Sequence, residues 1–536
     1  MQKHLTVLGA VALSALLFAP FASLAPGCFF LGFVALVPFM LAQGRAESLG
    51  EAAIAGLALA VAFVAVIFPW LPATAAGYAG ASTATSALWA LMLLAAPLLE
   101  PQIVVFALVR HIVGRSPRPY PALRAALAGA LAYMTVEVFV PKLFGDTLGM
   151  GLYPSRLLRQ GADLAGVQGL SVLMLLVNES VAAAIRARRP RLMLGALGLI
   201  AIALGYGAAR EAQITAREAK GPVVGLVQAN ITNYDKMRAE KGAFETVREI
   251  LDTHFALSEE LLRRGDRPEL LVWPETVYPT TFGAPKSEEA EAFDAEIKAF
   301  AARQGTPLIF GAYDVEEGKG SEDARELNAA FFLKGGSAPA RYQKRMLFPL
   351  TEWVPAALES AWLRDALPWA GHFQRGPGAA AVAIPRRAGG SLTVLPLICY
   401  DVLFPDFVAE GAEKSADLIV TLSNDGWFPD ARAPRVHLIA AAFRSIETRL
   451  PQVRATNSGI SALIGPDGEI HAATGFGERA TLAGRLPSAG HLTTLMVLLG
   501  PLRGLLPLGV TLALLVGALL GKARDGEAQS NKSTIR

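Results

Sequence analysis

Three side chains able to do covalent chemistry lie far apart in this sequence: Glu275, Lys344 and Cys399. Cys399 follows the apolar run 392–398, which is typical of a buried β-strand, and Glu275 also follows an apolar run. A cysteine thiolate is a strong nucleophile, a carboxylate can remove the thiol proton, and an ammonium group stabilises developing negative charge. Together these three groups could form and cleave a thioester.

Each of these side chains also has an ordinary structural interpretation. Cys28 and Cys399 are the only two cysteines, so the sequence predicts no disulfide framework, and a buried free cysteine is most often a small core residue. We interpret Cys28 as structural. Glu275 alone could lie beside a helix start, and Lys344 alone could be a solvated cation. The catalytic interpretation of Cys399 therefore depends on all three groups meeting in the fold.

The elements that must position these residues divide into membrane and aqueous regions. Hydrophobic residues make up 53% of the 536 residues and charged residues only 18%. We predict an N-terminal membrane domain over 1–210, an aqueous catalytic domain over 221–487, a closing membrane helix over 492–520 and a polar cytoplasmic tail over 521–536. The membrane domain is expected to contain about seven helices, over residues 5–24, 29–43, 52–70, 83–109, 125–140, 164–185 and 192–209.

Arginine residues cluster in two of the predicted loops and indicate an orientation. They are Arg110, Arg115, Arg118, Arg124, Arg186, Arg188, Arg189 and Arg191. Short cytoplasmic loops carry the excess of lysine and arginine, so we expect both termini in the cytoplasm and 221–487 on the opposite side. The net charge of +3 then reflects membrane topology and not nucleic-acid binding.

The aqueous domain alternates short β-rich runs with helical patterns. This alternation predicts a layered α/β fold. Catalytic groups favour the carboxyl edge of the strands in such sheets, which is where Glu275 and Cys399 are expected to lie. The seven histidines are scattered, so the sequence predicts no metal site.

Glu275, Lys344 and Cys399 stand in the chain order of the catalytic triad of the nitrilase superfamily, and the segments 272–276 and 397–401 around them resemble that family. With membrane helices on both sides, the chain resembles the apolipoprotein N-acyltransferase family within it. The resemblance implies an α-β-β-α sandwich joined to a membrane α-helical bundle of about eight transmembrane helices. Further matching segments are 227–231, 423–428 and 454–461.

The resemblance also implies an activity. Members of the family move an acyl chain from a phospholipid, typically phosphatidylethanolamine, to the free α-amine of an S-diacylglyceryl-cysteine lipoprotein, which is the last step of lipoprotein maturation. A thioester on Cys399 would carry the acyl chain between the two substrates. No cofactor is implied. The expected location is the bacterial inner membrane, with the catalytic domain in the periplasm and the protein a monomer.

Each site residue has an expected role. Glu275 is the general base, and Lys344 stabilises the thiolate and the oxyanion together with the backbone N–H of Tyr400. By resemblance, Glu352 is a supporting carboxylate that orients Lys344 or a lid, although a surface carboxylate is the ordinary alternative. Asp401 stands where better-known members have a glutamate.

A lipid substrate needs apolar contacts, and aromatic residues are the candidates. We expect Trp273, Phe348 and Trp427 to contact substrate near the thiol. Trp362 and Trp369 lie in a short segment that we interpret as a mobile arm at the membrane interface, because tryptophan favours that depth. An ordinary packed loop or short helix is the alternative for this segment.

Two departures from the family pattern affect the substrate contacts. The family often has Lys-Trp where this chain has Lys236 and Met237, and Pro-Phe-Gly-Glu where this chain has Leu350 and Thr351 in the middle. The three candidate catalytic residues are intact. The departures concern the contacts to the acyl chain or the headgroup.

Two other functions remain as alternatives, one based on the three candidate catalytic residues and one on the membrane helices. A membrane-tethered amidase or hydrolase would have the same three residues and would pass the acyl group to water. A transporter with an accessory domain would need charged groups within the membrane, where we identify few beyond Glu100 and Glu137.

Overall fold

The computed structural model describes residues 2–78, 82–217, 219–231, 237–238, 242–264, 267–316, 326–334, 338–366, 371, 373–386, 389–490 and 492–534. The chain forms two compact units. One consists of Met1–Ala212 with Leu498–Arg536, and the other is Gln213–Val497. Each unit is described here by itself.

The described residues of the first unit form helices joined by turns and loops, and none of them forms a strand. Among them, six helices are long and apolar enough to cross a membrane. These six candidate spans are Leu5–Ala22, Leu49–Ile67, Pro121–Phe139, Val167–Ala187, Pro190–Ala216 and Leu502–Arg524. The shorter helices and 3₁₀ turns are Phe29–Phe33, Val37–Gln43, Leu71–Tyr78, Ser82–Ala84, Thr85–Leu94, Ala96–Leu99, Pro101–Gly114, Leu148–Leu152, Leu158–Gly161 and Ala162–Ala165.

The predicted fold class, membrane helices joined to an α/β domain, is confirmed, but several of the eight predicted spans are interrupted. The closing span predicted over 492–520 is divided into the short helix Leu495–Leu499 and the helix that begins at Leu502. The segment predicted over 29–43 is a 3₁₀ turn followed by a short helix. The segment predicted over 83–109 is divided into three helices, and the last of them begins at Pro101. Proline has no backbone N–H to continue a preceding helix, and Glu100 before it leaves helical geometry with φ −125° and ψ 53°.

Buried charges in the first unit are paired. Arg110 forms an ion pair with Glu179. Lys142 contacts Glu100 at 3.1 Å and Asp146 at 2.8 Å. Burying an unpaired charge is costly, so the Arg110–Glu179 and Lys142–Glu100 pairs favour contacts between segments distant in sequence.

The second unit contains thirteen strands in its described residues, which we number β1 to β13. They are β1 (Ala219–Gln228), β2 (Leu270–Val272), β3 (Tyr278–Thr281), β4 (Leu308–Val315), β5 (Glu326–Leu333), β6 (Ala340–Gln343), β7 (Val382–Pro385), β8 (Ser391–Ile398), β9 (Leu418–Ser423), β10 (Gln452–Thr456), β11 (Ala462–Ile464), β12 (Ile470–Ala473) and β13 (Ala480–Ser488). One sheet has the order β13-β1-β2-β4-β5-β6, with β3 beside β4, and the other has the order β12-β11-β10-β9-β8-β7.

The middle of each sheet is parallel. Strands β1, β2 and β4 run parallel in the first sheet, and β8, β9 and β10 run parallel in the second. The outer strands are antiparallel to their neighbours. The carboxyl ends of parallel strands meet at one edge of a sheet, which is the edge where catalytic groups are expected.

Helices cover this sheet pair. Apolar residues of Ala243–Arg263 and Glu288–Gln304 form one buried cluster with residues of the first sheet. Helix Arg432–Thr448 is largely buried and precedes β10. The other helices and 3₁₀ turns are Ala356–Leu358, Ala361–Ala366, Cys399–Leu403, Pro405–Ala412 and Leu495–Leu499. This is the layered α/β fold that the sequence predicts for this part of the chain.

Candidate active site

The candidate catalytic residues all follow directly after strands. Glu275 comes shortly after β2, Lys344 directly after β6, and Cys399 directly after β8. Ion pairing and charge interactions connect all three side chains. The structure therefore brings together three side chains that are spread over 124 positions of the sequence, from Glu275 to Cys399.

Glu275 is a fully engaged carboxylate. Its Oε1 accepts hydrogen bonds from Nδ2 of Asn328 at 2.8 Å and Nζ of Lys344 at 3.1 Å, and its Oε2 accepts one from the backbone N–H of Asn424 at 2.9 Å. Gly311 on β4 packs directly on its backbone, where an added Cβ would lie 2.6 Å from the Cα of Glu275. Only glycine allows so close an approach, so this contact helps to fix the position of the carboxylate.

Lys344 lies between two carboxylates. Its ammonium group donates to Glu275 and, at 2.7 Å, to Oε1 of Glu352, and its side chain is only 2% exposed. Oε2 of Glu352 accepts a hydrogen bond from the backbone N–H of Phe348 at 2.8 Å. Asn328 Nδ2 also lies 3.2 Å from Oε1 of Glu352. The position of the cation is thus set by neighbours from three separate strands or loops.

Cys399 occupies a tight turn between β8 and the 3₁₀ helix Cys399–Leu403. Its φ is +46°, a left-handed conformation that costs a residue with a side chain about 1–3 kcal/mol. Asp401 braces this turn: its Oδ2 accepts from the backbone N–H of Ile398 at 2.9 Å and the hydroxyl of Tyr342 at 2.7 Å, and its Oδ1 from the N–H of Met346 at 2.8 Å. The segments of Lys344 and Cys399 are therefore held to one carboxylate.

Burial and charge together shift the acidities of the site. Burial raises the pKa of the Cys399 thiol, and the negative charge of Glu275 raises it further, although Lys344 acts in the opposite direction. Burial and the charge of Glu352 raise the pKa of Glu275, against the effect of Lys344. Burial acts to lower the pKa of Lys344, but the two carboxylates outweigh it and raise that pKa well above its ordinary value. The directions of these shifts favour a protonated Cys399 thiol, a charged Lys344 and a more basic Glu275 carboxylate.

Asp401 is also affected by burial. Burial raises its pKa to about 6, although Lys344 and the hydrogen bonds that it accepts act to lower it. Asp401 is part of the turn at Cys399, and each of its two carboxylate oxygens accepts at least one hydrogen bond. Its shorter side chain still reaches all three donors.

A group of aromatic side chains surrounds Tyr400, the residue that follows Cys399. Phe348 packs edge-on against Tyr400 at a ring distance of 5.0 Å and against Trp427 at 5.7 Å. Trp427 stacks on Phe428 at 4.5 Å and donates its indole N–H to the carbonyl of Asn424. Phe348 and Trp427 are partly exposed, and with Tyr400 they form an apolar wall that begins one residue after Cys399.

The other predicted aromatic contacts lie elsewhere. Trp273 is fully buried, donates its indole N–H to Ser258 and packs among the rings of the first-sheet core, so it corrects our expectation of a substrate contact. Trp362 lies on the short helix Ala361–Ala366 and is 75% exposed. Trp369 lies outside the described residues.

Two asparagines that the sequence analysis did not predict as site residues form hydrogen bonds to the carboxylates of the site. Asn328 bonds both carboxylates, and the backbone N–H of Asn424 bonds Glu275. Asn328 had a detectable signal, since asparagine is disfavoured in the middle of an apolar strand such as β5. Asn424 lies in the segment 423–428, which resembles the family. The residue type, however, does not reveal that the backbone N–H of Asn424 donates to Glu275.

Comparison with known proteins finds two family models that match different parts of the chain. Residues 223–490 match the family model described as carbon-nitrogen hydrolase, and residues 11–179 match that of the apolipoprotein N-acyltransferase N-terminal domain. A protein of Rhizobium etli named apolipoprotein N-acyltransferase is 34% identical over 347 residues, which cover 62% of this chain and 61% of that protein. A protein of Geobacter metallireducens with the same name is 29% identical over 474 residues, 86% of each chain.

Among solved structures, the chain is similar to an amidase from Nesterenkonia sp., with 20% identity, a TM-score of 0.36, and coverage of 50% of this chain and 91% of the amidase. The chain spans about three fifths of the length of the first curated relatives that it matches. The carbon-nitrogen hydrolase match covers half of the chain, including all three candidate catalytic residues. The chain therefore belongs to the carbon-nitrogen hydrolase family.

Proposed function

We propose that this protein is an N-acyltransferase of the bacterial inner membrane that moves a fatty acyl chain from a phospholipid to the free α-amine of an S-diacylglyceryl-cysteine lipoprotein. The observation that carries the proposal is the Glu275–Lys344–Glu352 cluster beside the strained Cys399 turn. Six candidate membrane spans in the same chain and the names of its relatives support a lipid substrate.

The first half-reaction forms a thioester. Glu275 takes the proton from the Cys399 thiol, and the sulfur attacks the ester carbonyl of the phospholipid. Lys344 and the backbone N–H of Tyr400 stabilise the negative charge on the carbonyl oxygen. The ester C–O bond then breaks, and Glu275 returns its proton to the leaving lysophospholipid alcohol.

The second half-reaction passes the acyl chain to the amine. A neutral amine attacks the thioester carbonyl, and the same donors stabilise the second tetrahedral intermediate. Glu275 removes the proton that the amine loses and passes it to the Cys399 sulfur as the C–S bond breaks, which restores the thiol and the ionised base. The raised pKa of Glu275 suits both halves, because a general base works best when its pKa lies near the working pH.

Glu352 and Asn328 keep the cation in place through the cycle. Lys344 has a flexible side chain that would otherwise follow whichever negative charge is present. The bond to Glu352 holds its ammonium group at 2.7 Å, while Asn328 connects Glu352 with Glu275. The cation is thus preorganised for the oxyanion, which is the main source of electrostatic catalysis.

An apolar route from the bilayer would end at the wall formed by Phe348 and Trp427. The exposed side chains of Leu350, Leu358 and Trp362 lie on the segment that follows Phe348. We propose that this segment meets the membrane interface and guides acyl chains to Cys399. Phosphatidylethanolamine is the proposed donor, in keeping with the family resemblance.

The arginine distribution supports a topology. Arg110 is buried within Pro101–Gly114, contrary to our expectation of a loop position. Arg115 and Arg118 do lie before Pro121–Phe139, and Arg188 and Arg189 lie after Val167–Ala187, so we propose that these connections and both termini are cytoplasmic. The catalytic domain, proposed over 221–487, is then periplasmic. We propose that the protein acts as a monomer, since one chain supplies every residue of the site.

The test is an assay on purified full-length protein in detergent. Phospholipid with a labelled acyl chain is incubated with a diacylglyceryl-cysteine peptide that has a free α-amine. Labelled N-acyl peptide is the expected product, and it should be absent with Cys399→Ala. Labelled free fatty acid without N-acyl peptide would contradict the proposal and support hydrolysis.

A further inference from the structure

A buried histidine contacts the backbone of the nucleophile. His437 lies on helix Arg432–Thr448, and its side chain is 11% exposed. Its Nε2 lies 3.3 Å from the carbonyl oxygen of Cys399. Its Nδ1 lies 3.0 Å from an Nη2 of Arg454 and 3.3 Å from Oδ1 of Asp425. None of the proposed proton transfers uses this group.

The partners of His437 determine which nitrogen holds the proton. A carbonyl oxygen can only accept, so Nε2 must carry the hydrogen that reaches Cys399. Nδ1 faces both a donor and an acceptor. Arg454 can only donate and is the closer of the two, at 3.0 Å against 3.3 Å for Asp425, so we assign Nδ1 as the bare nitrogen that accepts from Arg454. His437 is therefore neutral, with its proton on Nε2.

The surrounding charges favour this neutral form. Burial lowers the pKa of His437, and the charge of Arg454 lowers it further, while Asp425 acts in the opposite direction. Asp425 is itself engaged by Arg454 at 3.0 Å and by the hydroxyl of Ser423 at 3.0 Å. Arg454 holds the pKa of Asp425 at about 2 against the effect of burial.

The carbonyl that His437 contacts belongs to the same peptide group as the N–H of Tyr400. A peptide group is planar, and in the trans form its C=O and N–H point in opposite directions. A donor that fixes the carbonyl of Cys399 therefore also fixes the direction of the Tyr400 N–H. A hydrogen bond to the carbonyl also polarises the peptide and strengthens its N–H as a donor.

We propose that His437 is a positioning residue that orients the Cys399–Tyr400 peptide so that the Tyr400 N–H points at the oxyanion. This inference rests on the proposed function, in which Cys399 attacks an acyl carbonyl. Asp425 and Arg454 act through His437 by holding its Nδ1 without a proton. The left-handed turn at Cys399 makes such an anchor necessary, because the peptide plane is held in a rarely populated conformation.

Two kinds of thiol chemistry separate this role from a structural one. Acylation from an ester passes through an oxyanion, whereas alkylation by iodoacetamide is a direct displacement at carbon and forms none. Both are measured on full-length protein in detergent with Cys28→Ser, so that Cys399 is the remaining thiol. The acyl donors are labelled phospholipid and a soluble nitrophenyl ester.

Two substitutions differ in the reach of the donor. The side-chain nitrogen of glutamine can approximate the position of Nε2, whereas that of asparagine stops near Nδ1. We expect His437→Asn to lower kcat for acylation about 10- to 100-fold with KM little changed, and alkylation within about threefold of the parent. His437→Gln should recover most of the loss. The exposed His471 provides the control, and His471→Asn should change neither rate.

Two results would overturn the inference. One is an acylation rate for His437→Asn equal to the parent's. The other is an equal fall in acylation and alkylation, or an equal fall for the Gln and Asn variants, which would indicate a general packing role. Parent protein that is alkylated but never acylated would instead contradict the proposed function itself, and the inference with it.

Discussion

Each unit of this protein contains a buried lysine between two carboxylates, and the two clusters have different neighbours. Lys142 contacts Glu100 and Asp146 in the first unit. Lys344 contacts Glu275 and Glu352 in the second unit. The charge pattern is therefore the same in both.

The difference lies in what stands beside the lysine. Lys142 donates to both the side chain and the backbone carbonyl of Asp146, four positions along the chain, and to Glu100, 42 positions away. Lys344 faces the thiol of Cys399, whose backbone is strained and anchored from two sides. A buried lysine between two carboxylates therefore does not by itself indicate a catalytic site, because it can serve only to stabilise the fold. A nucleophile held in a defined orientation beside it makes a candidate catalytic site.

The largest expected effect comes from removing each lysine in turn. Lys344→Met leaves Glu275 and Glu352 together without a cation and removes a donor to the oxyanion, so acylation should fall about 1,000-fold. Lys142→Met should instead lower stability, by about 3–5 kcal/mol for a broken buried pair, with the acylation rate of folded protein within a few-fold of wild type. Thermal unfolding and single-turnover acylation measure the two quantities. A loss of acylation in Lys142→Met with unchanged stability would contradict the comparison.

A smaller effect is expected for Glu352→Gln. The charge of Glu352 contributes to the raised pKa of Glu275, so its removal should lower that pKa. Since the base acts in its ionised form, the acidic limb of the pH–rate profile should move to lower pH, with a maximal rate reduced about tenfold because Lys344 loses a partner. A limb that stays in place, or moves to higher pH, would show that Glu352 does not act on the base.

The smallest expected effect concerns the exposed Trp362. Trp362→Ser should lower turnover of phospholipid in vesicles about fivefold, because tryptophan contributes to binding at the membrane interface. Acylation from a soluble thioester should remain at the wild-type rate. Equal losses with both donors would remove the argument for an arm at the membrane.

Much of this arrangement could be predicted from the sequence because its signals are local. Apolar runs of sufficient length predicted the membrane regions, and strand-like runs followed by Glu275 and Cys399 predicted two positions at a sheet edge. Pro101 was also a local signal, since proline often begins a new helix. We nevertheless predicted a single span over 83–109 because the whole segment is apolar. Lys344 was identified from the chain order Glu, Lys and Cys that the family shares.

The rest depends on contacts between distant segments. Trp273 is two positions from Glu275, yet helix Ala243–Arg263 and the first-sheet core bury it completely. The bond from His437 to Cys399 spans 38 positions and involves a backbone atom, which no residue type can indicate. Asn328 similarly acts across 53 positions on Glu275. Such partners are set by packing.

The central claim is that the acyl chain passes through Cys399. The direct measurement is a single-turnover chase: labelled phospholipid is mixed with an excess of full-length protein, the intact mass of the protein is followed, and the acceptor peptide is then added. We predict an acyl adduct that maps to Cys399, is released by hydroxylamine, and disappears as N-acyl peptide forms. Formation of labelled N-acyl peptide while Cys399 never carries an acyl group would contradict the account.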